Sequence, residues 1–126
     1  MFELKIITRF AAAHQLTMVG EKCENLHGHN WKIEVCIKGK ELDQGGVLVD
    51  FGIIKQHVKE IIDAIDHQFL NELPFFKNRP ASSENIAYYI ATEANQRLAL
   101  AAPGVIVSRV SAWESEDSCA TYFLRA

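Results

Sequence analysis

Apolar and polar residues alternate in the first third of the chain, with the period of two that a strand imposes on its side chains. The clearest run covers 31–38, where every second residue is apolar and the residues between them are polar or small. Its apolar face would hold Trp31, Ile33, Val35 and Ile37. Residues 2–10 are rich in Phe, Ile and Thr, and they predict an earlier strand that continues to about Leu16.

Two later stretches carry apolar residues at helical spacing, each after a residue that can cap a helix. Asp50 is suited to cap a helix over about Gly52 to Ala64, whose apolar stripe would pack inward. Ser82 or Ser83 could cap a second helix that runs to about Ala99. The middle of the chain is therefore predicted to be helical.

The last stretch predicts a closing hairpin, with strands from Val105 to Trp113 and from Ala120 to Leu124. The predicted order is strand, strand, helix, helix, strand, strand. This is an α+β fold in which two helices cover one face of a four-stranded antiparallel sheet. Such a sheet has open edges, and no proline blunts its strands. We expect other copies of the chain to pair with these edges and to close a larger barrel.

The composition fits a single domain over 1–126, because 48% hydrophobic and 23% charged residues are an ordinary globular balance. The formal net charge of -3 argues against a nucleic-acid-binding surface. The widely spaced Cys23, Cys36 and Cys119 do not form a disulfide framework, which favours a reducing, cytoplasmic compartment. No apolar run is long enough to cross a membrane, and we expect no signal peptide.

The histidines are the first candidates for chemistry. His27 and His29 are two residues apart, so an extended chain would project both imidazoles to one face. His14 lies near the end of the first predicted strand and would join them if the two strands form a hairpin. Three neutral imidazoles with one open position are typical of a catalytic zinc site. His57 lies beside the apolar stripe of the first helix and is assigned to the surface or core.

Cys23 lies four residues before His27 and next to Lys22, in the polar stretch between the two strands. A neighbouring cation favours the thiolate, and a thiolate that is near a metal but not bound to it can act as a general base. A fourth metal ligand and a loop cysteine without a role are the alternatives. Cys36 and Cys119 fall within predicted strands and are assigned as small strand residues.

Two acidic positions could take part in the same site. Asp66 precedes His67 after the first helix, where the pair could form a proton relay or where a cationic His67 could stabilise the helix end. The sequence does not separate these two interpretations. Glu114 could accept paired hydrogen bonds from a guanidine-like edge, as in a pterin or guanine ring. A solvated turn is favoured for Glu116 and Asp117.

Taken together, these motifs resemble the 6-pyruvoyl-tetrahydropterin synthase family, and within it the bacterial 6-carboxy-5,6,7,8-tetrahydropterin synthase branch. The matching segments keep their order along nearly the whole chain: Phe10–Leu16, Cys23 with His27-Gly28-His29-Asn30, Asp66–Asn71, Ala81–Ala87 and Trp113–Ser115. The branch follows from the spacing, since only three residues separate the cysteine from His-Gly-His, whereas animal pyruvoyl enzymes have a longer insert.

The resemblance implies a tunnelling fold, in which strands of neighbouring subunits close a barrel and trimers stack into a homohexamer. The active site would lie at a subunit interface. The implied substrate is 7,8-dihydroneopterin triphosphate, and the products would be 6-carboxy-5,6,7,8-tetrahydropterin, acetaldehyde and triphosphate. This reaction lies on the route to queuosine and other deazapurines.

The resemblance also implies roles for individual residues. The zinc ligands would be His14, His27 and His29. Cys23 would accept a proton, and His67, supported by Asp66, would exchange protons on the other side of the substrate. Glu114 would anchor the pterin ring and share in the relay. Ser82 and Ser83 match positions that contact the pterin, and the candidates for triphosphate contacts are Lys22, Arg9 and Arg79.

Two other functions compete with this one. A cupin-type metal oxygenase could use His27-x-His29 with Glu34, but Glu34 would lie on the opposite face of a regular strand from His29. Two helical stretches also do not fit a small all-β cupin, and far-UV circular dichroism would distinguish the two folds. The other alternative is a non-catalytic pterin- or purine-binding oligomer with structural zinc, against which Cys23 and the Asp66-His67 pair count.

Overall fold

A computed structural model describes residues 1–16 and 26–124, and for residue 27 it describes the backbone alone. The strands are β1 (Phe2–His14), β2 (His27–Gly39), β3 (Gln68–Phe69), β4 (Val105–Ser115) and β5 (Ser118–Phe123). The helices are α1 (Phe51–Asp63) and α2 (Ser83–Ala101), with short 3-10 turns at Leu70–Glu72 and Pro74–Phe76. The predicted α+β order of two strands, two helices and two strands is confirmed.

The strands form one sheet in the order β3-β1-β2-β4-β5. All neighbours are antiparallel except β3, which pairs with β1 in parallel through Ala12 and Ala13. The sheet therefore has five strands rather than the four predicted. The extra strand has only two residues, which is too short to produce an alternating pattern in the sequence.

One face of the sheet packs against both helices and forms the core. The predicted apolar face of β2 is fully buried there, since Trp31, Ile33, Val35 and Ile37 are each 0% exposed. Both helices start at side-chain caps, because the Asp50 carboxylate accepts from the Gly52 N–H at 2.8 Å and the Ser82 hydroxyl accepts from the Asn85 N–H at 3.2 Å. Of the two serines considered, Ser82 is thus the cap. Two helices packed on one face of the sheet do not fit the all-β fold of a cupin.

Two features of the strands place the functional residues. Strand β2 begins four residues earlier than the alternation predicts, because its pairing with β1 continues to His14 opposite His27. Strand β4 contains a bulge, since Cys36 pairs with Arg109 whereas Ile37 pairs with Val107. A bulge shifts the alternation of side chains by one residue.

No helix in the described ranges is long and apolar enough to span a bilayer.

Candidate active site

Three side chains from three neighbouring strands meet on the helix-covered face. His14 comes from the end of β1, His29 from the start of β2, and Glu114 from the end of β4. The Glu114 Oε1 atom lies 3.1 Å from His14 Nε2 and 3.2 Å from His29 Nε2. One ligand atom from each residue lies within 4.8 Å of the other two, so the three groups could hold one metal ion. The structure thus brings two of the three predicted imidazole ligands together.

The contacts of His14 show which ring nitrogen donates to a backbone oxygen. His14 is 1% exposed, and its Nδ1 atom lies 2.7 Å from the Ala81 carbonyl oxygen. A carbonyl oxygen can only accept, so His14 Nδ1 must carry the proton. In the neutral imidazole the Nε2 atom then holds a lone pair. The Ala81 carbonyl, just before α2, therefore orients the ring so that Nε2 could bind a metal ion.

The lone pair of a neutral His14 Nε2 would face the Glu114 carboxylate, which is also an acceptor. Although His14 Nε2 is 3.1 Å from Glu114 Oε1, the contact does not have hydrogen-bond geometry, and within the described residues this buried nitrogen has no hydrogen-bond partner. A buried lone pair beside a carboxylate oxygen requires a positive charge between them, either a proton or a metal ion. Imidazole nitrogen and carboxylate oxygen both suit zinc. The residues present therefore fit the implied metal.

Part of the predicted site lies outside the described atoms. The backbone of His27 pairs directly with His14, but its side chain is not described. Cys23 and Lys22 also lie outside the described residues. The third imidazole ligand and the proton-accepting thiol therefore stay predictions.

Asp66 and His67 form a pair at the edge of β1. Asp66 Oδ1 lies 3.0 Å from His67 Nδ1 and also accepts from the Ala11 N–H at 3.0 Å. The His67 N–H in turn donates to the Ala11 carbonyl oxygen at 2.6 Å. These bonds hold His67 in the left-handed region, with φ of 59°. The contacts show that Asp66 and His67 pair, and the proton relay stays a prediction.

The His67 ring opens on a cleft of about 430 Å³ that His29 also lines. Glu114 is not among the residues of this cleft. It instead lines a second cleft of about 650 Å³, together with Arg9, Lys32 and Trp113. Asn30 lines both clefts. In one chain, His67 and the Glu114 carboxylate thus open on different clefts.

The charge of Asp66 is expected to stabilise the fold in a pH-dependent way. The pKa of its carboxyl is lowered, chiefly by the hydrogen bond from the Ala11 N–H and further by His67. A lowered pKa contributes stability above the unfolded value of about 3.9, and this contribution is lost as the pH falls through the folded value. Asp66→Asn should therefore unfold more easily than the wild type at pH 6, with a gap that closes below about pH 4. Denaturant titrations from pH 3 to pH 7 measure the gap.

The exposed Asp63, in the last turn of α1, offers a matched control. Among the described residues its ion-pair partner is Lys59, four residues earlier on the same helix. Asp63→Asn should show a smaller gap, because exposed ion pairs contribute little to stability. A gap for Asp66→Asn that persists or grows in acid would rule out this role for its charge.

The remaining predicted residues are two serines, two arginines and two acidic residues of a turn. Ser82 caps α2 through its hydroxyl and Ser83 begins the helix, both half-buried. Arg9 shares the larger cleft with Glu114, whereas the Arg79 guanidinium lies on the rings of Phe75 and Tyr88, at 5.0 Å and 4.8 Å from their centroids. The turn predicted to be solvated is exposed in the structure, at both Glu116 and Asp117.

Sequence reasoning did not find two groups that shape the site. One is the Ala81 carbonyl, a backbone atom that no residue type could reveal. The other is Trp31, whose ring packs against both imidazoles. Its place in the alternating run predicted burial, but only the register with β1 shows which residues it contacts.

Comparisons with known proteins agree with this geometry. The sequence model described as 6-pyruvoyl tetrahydropterin synthase matches residues 3–124. A protein of Archaeoglobus fulgidus with the provisional name 6-carboxy-5,6,7,8-tetrahydropterin synthase is 39% identical, over 91% of this chain and 90% of its own. A dihydroneopterin monophosphate aldolase of Pyrococcus furiosus is 35% identical, over 86% of this chain and 85% of its own.

The fold is shared as well. The 6-pyruvoyl tetrahydropterin synthase of Caenorhabditis elegans superposes with a TM-score of 0.84 at 24% identity, over 98% of this chain and 96% of its own. This similarity confirms the predicted tunnelling fold of the subunit. The family match and the archaeal relatives confirm the resemblance deduced from the motifs. The chain therefore belongs to the 6-pyruvoyl tetrahydropterin synthase family, whose members are enzymes of pterin metabolism.

Proposed function

We propose that the chain is a zinc-dependent lyase that converts 7,8-dihydroneopterin triphosphate into 6-carboxy-5,6,7,8-tetrahydropterin, acetaldehyde and triphosphate. The observation that carries this proposal is the buried lone pair of His14 Nε2, which faces His29 and Glu114 without a hydrogen-bond partner among the described residues. The Archaeoglobus and Rickettsia typhi relatives, at 39% and 30% identity, carry the name of the carboxy branch. The product would feed queuosine and deazapurine synthesis in the cytoplasm.

The metal would be held by His14, His27 and His29. Bound there, zinc would supply a Lewis acid that polarises the hydroxyl groups of the substrate side chain. The Ala81 carbonyl fixes the tautomer of His14, and this kind of outer hydrogen bond also raises the basicity of a ligating imidazole. The segment just before α2 and the sheet thus cooperate in presenting one nitrogen atom.

Proton transfer is assigned to groups that do not bind the metal. Cys23 would remove a proton from the substrate side chain, because a nearby cation favours its thiolate. His67 would exchange a proton elsewhere on the substrate. The Asp66 carboxylate holds the His67 Nδ1 atom at 3.0 Å, which leaves Nε2 of the exposed ring for the exchange.

Glu114 would anchor the pterin, with Ser82 and Ser83 as further contacts. A carboxylate can accept two parallel hydrogen bonds from the guanidine-like edge of the ring. Among the three cationic candidates for the triphosphate, Arg9 is favoured, since it lines the cleft of about 650 Å³ that Glu114 also lines. Arg79 stays a weaker candidate, and so does Lys22.

A charge-neutral substitution separates an anchoring role of Glu114 from metal ligation. Glu114→Gln should keep zinc at wild-type stoichiometry but lower kcat/KM about 10- to 100-fold, because a charge-assisted hydrogen bond contributes about 1.5–3 kcal/mol. Metal analysis and steady-state kinetics measure the two effects. Glu116→Gln is the matched control, since Glu116 lines the same cleft and is exposed. Loss of zinc from Glu114→Gln would make Glu114 a ligand instead.

Assembly into a homohexamer completes this proposal. His67 and Glu114 open on different clefts of one chain, so a neighbouring copy could bring the Asp66-His67 pair of one chain to the Glu114 of another. Exposed apolar side chains on β1, β4 and β5 support burial against a neighbouring copy, among them Ile7, Ile106 and Phe123. Light scattering on the purified protein should give the mass of six chains, and a monomer would contradict this part of the proposal.

Two related reactions are the alternatives within the family. The Pyrococcus relative is named an aldolase for the monophosphate, and its 35% identity is close to that of the carboxy-branch relatives. A 6-pyruvoyl-tetrahydropterin synthase would only eliminate triphosphate. A non-catalytic zinc and pterin binder is the third alternative.

Product identification distinguishes all four functions. Purified, zinc-loaded protein is incubated with dihydroneopterin triphosphate and, separately, with the monophosphate, and the products are analysed by mass spectrometry. We expect 6-carboxytetrahydropterin, acetaldehyde and triphosphate from the first substrate. A pyruvoyl product indicates elimination alone, and turnover of only the monophosphate indicates the aldolase. Unchanged substrates with bound zinc would leave a binding protein.

A further inference from the structure

Trp31 forms a closed packing unit with the two imidazoles. Its ring centroid lies 5.3 Å from that of His14 and 5.6 Å from that of His29, with interplanar angles of 78° and 68°. The two imidazoles are themselves 4.9 Å apart at 73°. The three rings are thus mutually edge-to-face, which is a preferred arrangement for aromatic pairs. Each ring of this unit therefore contacts the other two.

The indole of Trp31 is buried and also contacts the ring of Phe10. Trp31 is 0% exposed, and the Phe10 ring stacks on it at 6.0 Å with an interplanar angle of 10°. Its Nε1 atom is buried and has no hydrogen-bond partner within the described part of the chain. An unsatisfied donor costs stability, so the N–H gives no reason to have tryptophan at this position. What the indole contributes is an aromatic ring in edge-to-face contact with both imidazoles.

We propose that Trp31 is a positioning residue for the metal centre, which fixes the planes of the His14 and His29 imidazoles so that both Nε2 atoms point at one ion. The inference rests on the proposed metal site. Two flexible imidazoles would lose side-chain freedom when they bind a metal, whereas rings that are already held in place lose little. His14 is fixed at its Nδ1 by Ala81 and across its ring by Trp31.

The test compares two substitutions in the cobalt-substituted protein. Trp31→Leu removes the ring, and Trp31→Phe keeps an aromatic surface while removing the N–H. We expect Co²⁺ affinity, measured by chelator competition, to fall about tenfold or more in Trp31→Leu, as for other groups that orient metal ligands. Its visible absorption bands, which report coordination geometry, should shift. Trp31→Phe should remain within about threefold of the wild type with unchanged bands.

A matched control separates positioning from general damage to the core. Phe76 is a buried ring that packs on Phe75 and Tyr89, and within the described residues it makes no ring contact with an imidazole. Phe76→Leu should lower thermal stability yet leave Co²⁺ affinity and the absorption bands unchanged. If Trp31→Leu does not fold, Trp31→Met fills more of the space and takes its place.

The outcomes distinguish this inference from the function on which it rests. Wild-type protein that binds no Co²⁺ would overturn the metal centre and the inference together. If the wild type binds Co²⁺ and Trp31→Leu matches it in affinity and spectrum, the inference alone is overturned. A loss in Trp31→Phe as large as in Trp31→Leu would also overturn it, because the N–H and not the ring surface would then matter.

Discussion

Replacing His14 with alanine is expected to lower zinc affinity by at least about 100-fold, the upper end of the effects seen for groups that merely support a ligand. This loss corresponds to about 2.8 kcal/mol of binding free energy. It follows because His14 is the imidazole whose orientation is best defined, with Nδ1 bonded to Ala81 and Nε2 left as a buried lone pair. Turnover should fall with the metal. Titration with zinc in a chelator buffer measures the affinity.

Thermal unfolding gives a second readout of the same substitution. A ligand at about 100 times its dissociation constant stabilises a fold by about 2.7 kcal/mol, so removing zinc should lower the wild-type Tm and leave that of His14→Ala nearly unchanged. His57→Ala is the matched control, because His57 lies on α1 and is not part of the cluster of candidate ligands. It should bind zinc like the wild type. Wild-type zinc affinity in His14→Ala would refute its role as a ligand.

Replacing Cys23 with alanine is expected to lower kcat by about 10²- to 10⁴-fold, the usual contribution of a general acid or base. Zinc should remain bound at wild-type stoichiometry, since the proposed ligands are the three imidazoles. Metal analysis and single-turnover kinetics on the same preparation measure both quantities. Both quantities are needed, because kcat would fall whether Cys23 is a fourth zinc ligand or a proton acceptor, whereas zinc content would fall only if it is a ligand.

Cys119→Ala provides the control for loss of a thiol. Cys119 is exposed on β5 and pairs with Trp113 across the hairpin, outside the cluster of candidate ligands. It should retain full activity and full zinc content. If Cys23→Ala instead loses its zinc, Cys23 is a ligand, and the proton acceptor must be sought elsewhere, with His67 the first candidate.

The sheet and its core could be predicted largely from alternation. The burial of every apolar residue in the run from Trp31 to Ile37 follows from the period of two, and the caps Asp50 and Ser82 follow from helix chemistry. The short strand β3 could not be predicted, because two residues contain no period. Its position depends on the bonds of Asp66 and His67 to Ala11, which lies 55 residues earlier than Asp66 in the chain.

The position of Glu114 depends on the bulge in β4. Val105 and Val107 face the core, and uninterrupted alternation from them would place Glu114 on the opposite face. The extra residue at the bulge shifts the alternation, so that Val110 and Ala112 face the core and Glu114 reaches the imidazoles. Bulges have no reliable signal in one sequence. The motif indicated that Glu114 belongs to the site, but not that it contacts two imidazoles.

The metal cluster was predictable as residue types but not as an arrangement. The spacing of His27 and His29 and the hairpin to His14 indicated a common site, and the register of β1 with β2 brings His14 and His29 together. The orienting bond from Ala81 is a long-range contact between a strand end and the start of α2, 67 residues apart. Such a contact follows from packing of the whole fold, which local patterns do not contain.

X-ray absorption at the zinc edge of the loaded, substrate-free protein tests the metal centre most directly. We predict one zinc per chain with a first shell of nitrogen or oxygen atoms at about 2.0–2.1 Å, including the outer-shell signal of three imidazoles. A sulfur neighbour at about 2.3 Å would show that a cysteine binds the metal, against the assignment of Cys23. Failure to bind zinc in a stoichiometric amount would contradict the catalytic account as a whole.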